Sequence, residues 1–153
     1  MNHFLSSWLR AFCVSALALT VMTNAAGQDH STGETRLVGT WYGEFSPNAS
    51  SPVQRFITTR RVDGTFDLQA RMYQDNKMVG EARNNGMWGL SNGMYFTVTT
   101  EVNGKSSDPK RPEAVNAYLV KSLEADRFSY VHVASGGQFT VTRVDPASAR
   151  LPD

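Results

Sequence analysis

Cysteine is almost missing from this chain of 153 residues: there is one, Cys13. That excludes an intrachain disulfide framework and any zinc site built on thiolates. Histidine is scarce as well, with 3, so a transition-metal site would have to lean on carboxylates, and no metal or cofactor is expected. Neither sign of charge prevails. There are 15 Lys+Arg against 14 Asp+Glu, a formal +1, without the basic excess that marks a nucleic-acid binder. No Gly-rich loop follows a strand and opens a helix, which removes nucleotide-binding readings. No stretch holds a helical period over three turns, and the apolar run Ala11–Met22 spans 12 residues where a membrane span needs about 20.

That run has a different use. Arg10 precedes it and the small residues of Thr23–Gly27 follow it, the pattern of a secretory signal peptide cleaved near Ala25 or Ala26. Residues 1–25 are therefore expected to be a signal peptide, and the protein to be periplasmic or secreted, with no transmembrane span in the mature chain. Cys13 lies inside the apolar run and does not end it, unlike the lipid-bearing Cys of a lipoprotein signal. Without residues 1–25, Arg10 and Cys13 are gone, leaving 14 basic and 14 acidic residues, His30 and His132. A cysteine-free exported domain must hold itself together by packing. A hydrophobic share of 41%, with 8 Phe, 5 Tyr and 3 Trp, suffices for the core of a single domain.

Residues 26–35 are polar and read as a flexible lead-in. Beyond them, runs rich in β-branched and aromatic residues alternate with Gly, Asn, Asp and Pro. Strands are expected over Leu37–Phe45, Val53–Val62, Thr65–Gln74, Met78–Arg83, Met87–Leu90, Met94–Val102, Ala117–Leu123, Arg127–Ala134 and Gln138–Val144. Asp63-Gly64 and Asn92-Gly93 are strong hairpin turns, and Asn84-Asn85-Gly86 reads as a further turn. In Thr65–Gln74, Phe66, Leu68, Ala70 and Met72 alternate with polar residues, as in a half-buried strand. Met94, Phe96 and Val98 likewise share one face. Asn103–Val115 is the longest gap, able to hold a short helical turn or to act as a flap. Hairpins in series that must not leave long bare edges fit a closed barrel. The expected fold is an all-β, antiparallel up-and-down β-barrel of about 8–10 strands over residues 36–145, followed by a tail, 146–153.

Gly39-Thr40-Trp41-Tyr42, opening the first strand, resembles the G-x-W signature of the lipocalins and their calycin relatives. Gly39 allows a bend or a close approach, and Trp41 offers the largest side chain for the core. The resemblance implies that Trp41 plugs the closed end of the barrel and that an Arg from the last strand packs over it. Arg143, on the face of Phe139 and Val141, stands where that Arg would be, in cation–π contact. The family's T-D-Y motif is represented by Asn116-Ala117-Tyr118, which differs at two of three positions. The Gly-Thr-Trp-Tyr start is equally similar to the biotin-binding avidin group, whose site pattern is not recognisable further along. The layout from Leu37 to Val144 looks most like the small lipocalin-like domains of bacterial envelopes.

Catalysis is hard to build from these residues. His132 shares a strand face with Phe128 and Tyr130 and has no paired nucleophile in the sequence. Glu44, Glu81 and Glu101, like Arg55, Arg60 and Arg61, read as solvated outward positions. Binding is easier, because a barrel of this size can hold one small ligand. The candidate lining is Phe66, Leu68, Met72, Trp88, Phe96, Val98, Tyr118, Phe128, Tyr130 and His132, with Phe139 on an inward face, and with Tyr130 and His132 as polar handles. At about 110 structured residues, a filled core is as compatible with the sequence as a cavity. Two functions stay open: a non-catalytic carrier of a small hydrophobic or amphipathic ligand, and a solid barrel that binds or inhibits an envelope protein through loops 46–52 and 103–115. A barrel isomerase or hydratase using Tyr, His and Glu has the least support.

Overall fold

A computed structural model describes residues 30–152, so the expected signal peptide and the start of the lead-in lie outside the described residues. The described chain begins with a helix, α1 (His30–Leu37), and continues as strands β1 (Gly39–Phe45), β2 (Val53–Arg60), β3 (Thr65–Gln74), β4 (Lys77–Ser91), β5 (Met94–Val102), β6 (Lys105–Ser106), β7 (Val115–Leu123), β8 (Arg127–His132) and β9 (Gln138–Arg143). Every pairing is antiparallel. β1 to β5 pair in chain order, β5 then pairs with β7, β7 with β8, β8 with β9, and β9 returns to β1. The result is a closed, eight-stranded up-and-down barrel, with β6 a two-residue appendage on β5. Closure pairs each of the eight barrel strands on both sides, although β4 has a partner only in β3 over residues 77–83.

Three expectations change. Asn84-Asn85-Gly86 is not a turn: it lies inside the 15-residue β4, which pairs in unbroken register with β3 from Gly80 opposite Met72 to Met87 opposite Thr65. The irregularity there is a bulge against β5 between Asn85 and Gly86, where a Cβ on residue 86 would collide with the Val98 carbonyl and the Phe66 ring. One long strand thus replaces two, giving eight barrel strands. Second, residues 30–35 of the supposed lead-in belong to helix α1. Third, β2 stops at Arg60, because Asp63 accepts hydrogen bonds from the Thr65 amide (2.9 Å) and hydroxyl (2.7 Å) to build the turn. Asn92-Gly93 does form a tight turn, with φ of 50° and 73°, as a type I′ hairpin requires. The gap before β7 contains a short 3₁₀ turn, Pro112–Ala114.

Helix α1 covers one end of the barrel. Leu37 and Trp41 are both fully buried, and the Trp41 indole N–H donates to the Leu37 carbonyl at 2.9 Å. Arg143 locks this end from the last strand. Its guanidinium carbon lies 4.3 Å from the Trp41 ring centroid, and it donates to the carbonyls of Val38 (2.7 Å), Ala125 (2.8 Å) and Arg36. Gly39 makes room for it: its φ is +123°, and a Cβ at that position would strike the guanidinium. The loops at 46–52, 103–114 and 133–137 gather at the opposite, open end. On the outside, the tail turns back over β3, where Leu151 is buried and the Tyr73 hydroxyl donates to the Pro152 carbonyl at 2.5 Å.

Candidate functional site

Inside the barrel, above the closed floor, is a cavity of about 200 Å³. The floor is aromatic. Phe128, fully buried, packs edge-on to Trp41 at 6.3 Å and to Tyr95 at 5.5 Å. Above it, Phe56, Phe66, Leu68 and Phe139 supply the apolar wall, and Tyr130 stacks on Phe139 at 5.2 Å with its ring within 9° of parallel. The tyrosines add hydroxyls. Burial pushes the Tyr118 phenol up to about 12 and the Tyr130 phenol higher still, so both remain neutral O–H groups at ordinary pH.

The rest of the wall is polar. Gln54, Thr58 and Arg60 come from β2, Asn84 from β4, Thr97 and Thr99 from β5, and Asn116 from β7. Arg60 is 2% exposed. Its Nε donates to the Tyr95 hydroxyl at 3.1 Å, and its guanidinium carbon lies 4.8 Å and 5.7 Å from the Tyr95 and Phe128 ring centroids. Its Nη1 has no hydrogen-bond partner among the described residues, and neither has the side-chain oxygen of Asn84. Arg60 was expected outside with Arg55 and Arg61. Those two are outside, paired with Glu44 and Asp67. Arg60 is inside because β2 alternates, and Phe56, Thr58 and Arg60 all face the interior.

Of the residues expected to line a pocket, Phe66, Leu68, Tyr118 and Tyr130 do so. Phe128 lies beneath the cavity in the floor. Trp88 is buried but does not line the cavity; it lines a separate recess with Glu34, Val38 and Val62, where its indole N–H donates to the Arg61 carbonyl at 3.1 Å. His132 is half-buried and not part of the lining; its ring is 5.1 Å from that of Tyr118, and its Nδ1 lies 2.8 Å from the Ser135 hydroxyl. Among the described residues no carboxylate lies within ion-pair distance of His132. Met72 is 44% exposed, near the end of β3 where the β3–β4 register shifts.

Phe96 and Val98 point outward, which reverses the expected phase of β5. The inward residues are Tyr95, Thr97 and Thr99, all buried. The reason is local: Phe96 is paired with Gly89 of β4 and lays its ring over the bare glycine on the outer face. The more apolar face of β5 is therefore the outer one, and hydropathy alone selects the wrong side. The alternation of β2 and the polar-aromatic face of β5 were the available signals for Arg60, Tyr95 and the threonines.

No protein-family model matches this chain, and no curated protein is significantly similar to it. Among the described residues there is no group of three or more His, Cys, Asp or Glu able to hold a metal ion. No helix among them is long and apolar enough to cross a membrane.

Proposed function

We propose that the protein is an exported, non-catalytic binding protein of the lipocalin-like, calycin type that holds one small amphipathic ligand inside its barrel. The single observation that carries this reading is the interior cavity of about 200 Å³ with its divided wall of aromatic and hydrogen-bonding side chains. Specific small-molecule sites combine apolar surface with a few fixed polar groups in this way, and a solid-core barrel would have neither volume nor inward-facing polar atoms to spare. The Trp41–Arg143 stack and the Gly39 conformation support the lipocalin-like assignment, and the apolar run with small residues at 11–27 supports export.

Native mass spectrometry of the mature protein, purified from the cells that make it, tests this. The expected result is a chain shortened by about 25 residues at its N-terminus, carrying extra mass that organic extraction removes. A bare mass, together with no thermal shift against a panel of small amphipathic molecules, would overturn the carrier reading.

A second reading has its own observation. Met87, Phe96, Val115 and Leu119 are each 40–48% exposed on the outside of neighbouring strands β4, β5 and β7. An apolar strip of that kind suits a protein partner, and the contact would then run along strand faces more than along the loops.

A further inference from the structure

We infer that the cavity is selective for a singly charged carboxylate, with the carboxylate seated on Arg60 near the closed floor and an apolar body of monocyclic size lying against Phe66, Leu68 and Phe139. This rests on the carrier reading above and narrows its ligand class.

The argument starts from charge. A guanidinium stays protonated at any pH the fold survives, so unlike a buried Lys it cannot discharge itself to relieve the cost of burial. A buried charge is tolerated when it is paired, and is costly otherwise. Arg60 is 2% exposed, yet among the described residues no carboxylate lies within ion-pair distance of it, and the cavity wall contains no Asp or Glu. Its guanidinium hydrogen-bonds only neutral phenols among these residues, with Nε donating to the Tyr95 hydroxyl and a further bond to the Tyr130 side chain, and the two aromatic faces beneath it supply cation–π contact without accepting a hydrogen bond. Burial keeps the phenols of Tyr118 and Tyr130 neutral, so no phenolate balances the charge. Nη1 remains a charged donor without an acceptor. The complementary group is an anion brought by the ligand.

The wall also fixes the kind of anion. Arg60 is the one cationic side chain among the described residues of the lining, which matches one negative charge. A dianionic phosphate would need a second cation to leave water. Asn84 shares this wall, two strands from Arg60, with its side-chain oxygen also unpartnered. Rotation of its amide presents N–H donors to the second carboxylate oxygen. Size sets the remainder. Benzene occupies an apolar cavity of about 150 Å³, so about 200 Å³ accommodates a monoaromatic or medium-chain acid and not a long-chain lipid.

Titration calorimetry on the mature protein tests this with hydrocinnamate, its neutral amide hydrocinnamamide, octanoate, octanol and inorganic phosphate as probes. Each acid is expected to bind about 10- to 100-fold more tightly than its neutral counterpart, the range that a charge-assisted hydrogen bond provides, and phosphate not to compete. In Arg60→Met that preference collapses to near unity while the neutral probes bind as before. Because the substitution removes an unpaired buried charge at similar volume, the variant is expected to melt no lower than the wild type. Should it fail to fold, Tyr95→Phe leaves the charge in place and releases Nε, so the acid preference must persist there. Equal affinity for acid and amide in the wild type would overturn the carboxylate assignment while leaving the carrier reading intact. An acid preference that survives Arg60→Met would overturn the role of Arg60. Failure of every probe, neutral ones included, would overturn the carrier reading and this inference with it.

Discussion

The guanidinium of Arg143, in the last strand, lies 4.3 Å from the ring centroid of Trp41, in the first, and the two residues are direct partners across the β1–β9 pairing. The same side chain bonds the carbonyls of Arg36 and Val38 at the end of helix α1 and of Ala125 in the β7–β8 turn. One residue thereby joins the seam of the barrel, its cap and a neighbouring turn. Arg143→Ala should cost about 3 kcal/mol, summing a cation–π contact and charge-assisted hydrogen bonds with allowance for non-additivity. Arg143→Lys should recover less than half of it, since an ammonium cannot reproduce a planar fork. Urea unfolding of both variants measures this, and a loss under about 1 kcal/mol for the alanine variant would contradict the locking role.

Gly89 and Phe96 make a second testable pair. Replacing a strand glycine by alanine ordinarily stabilises, but here the Phe96 ring occupies the space a Cβ would need. Gly89→Ala should therefore destabilise by about 1–2 kcal/mol through overpacking. In a Phe96→Ala background the same change should be neutral or favourable. A double-mutant cycle reads the coupling directly, and additive effects would show that the ring moves aside freely.

Alkaline pH should unfold the protein earlier than an average carboxylate-rich surface would suggest. Tyr118 is held up to about 12 by burial, and Tyr42 to about 12 by burial and by the neighbouring Glu44. Each group's folded value is raised above the ordinary 10.0. The stability it contributes is fully present below pH 10 and is lost as pH rises towards 12, where the unfolded chain has already released the proton. Phenolate absorbance should rise together with loss of the near-ultraviolet dichroism of the fold. Tyr118→Phe should keep a larger share of its neutral-pH stability in that window than the wild type does.

The C-terminal tail is predicted to be part of the folded unit. Leu151 is 7% exposed, and Arg71 and Tyr73 donate to the Leu151 and Pro152 carbonyls on the outer face of β3. Ending the chain at Asp145 should cost about 2 kcal/mol, roughly the burial of one leucine side chain with its anchoring bonds. It should also raise amide exchange in β3 and β4 more than in β7 and β8.

Much of this architecture could be read from the residues. The turn at Asn92-Gly93 and the alternation of Phe66, Leu68 and Ala70 follow from local chemistry that tertiary context reinforces, whereas the packing of Arg143 on Trp41 was implied only by the resemblance of Gly39-Thr40-Trp41 to the lipocalin signature. Elsewhere context overrode the local signal. Asn84-Asn85-Gly86 carries turn residues, yet β3 offers a continuous ladder of partners, so the chain stays extended and the glycine is used for a bulge. In β5 the apolar residues Met94, Phe96 and Val98 suggested an inward face, but the barrel is lined from that strand by Tyr95, Thr97 and Thr99. A wall built for a polar guest hides from hydropathy, since its inward face is the less greasy one. Arg60 was passed over for the same reason: a charge in a run of arginines looks solvated until the phase of Phe56 and Thr58 is followed two residues further.

The β1–β9 pairing also sets the order in which this molecule can be completed. All other barrel neighbours are consecutive strands or nearly so, and each pair is able to form as the chain lengthens. The seam between Gly43 and Val141 alone joins segments almost a hundred residues apart, so its loop-closure cost falls at the end of folding. Until residues 138–143 arrive, β1 and β8 are bare edges, the stage most exposed to pairing between molecules. Joining the two ends by a linker and reopening the chain within loop 46–52 would make β9 and β1 successive strands and move the seam to β1–β2, then the last and first strands of the barrel. Such a permutant should reach the same barrel at a similar closure cost, with β2 and β9 in place of β1 and β8 as the edges left bare until the last strand arrives.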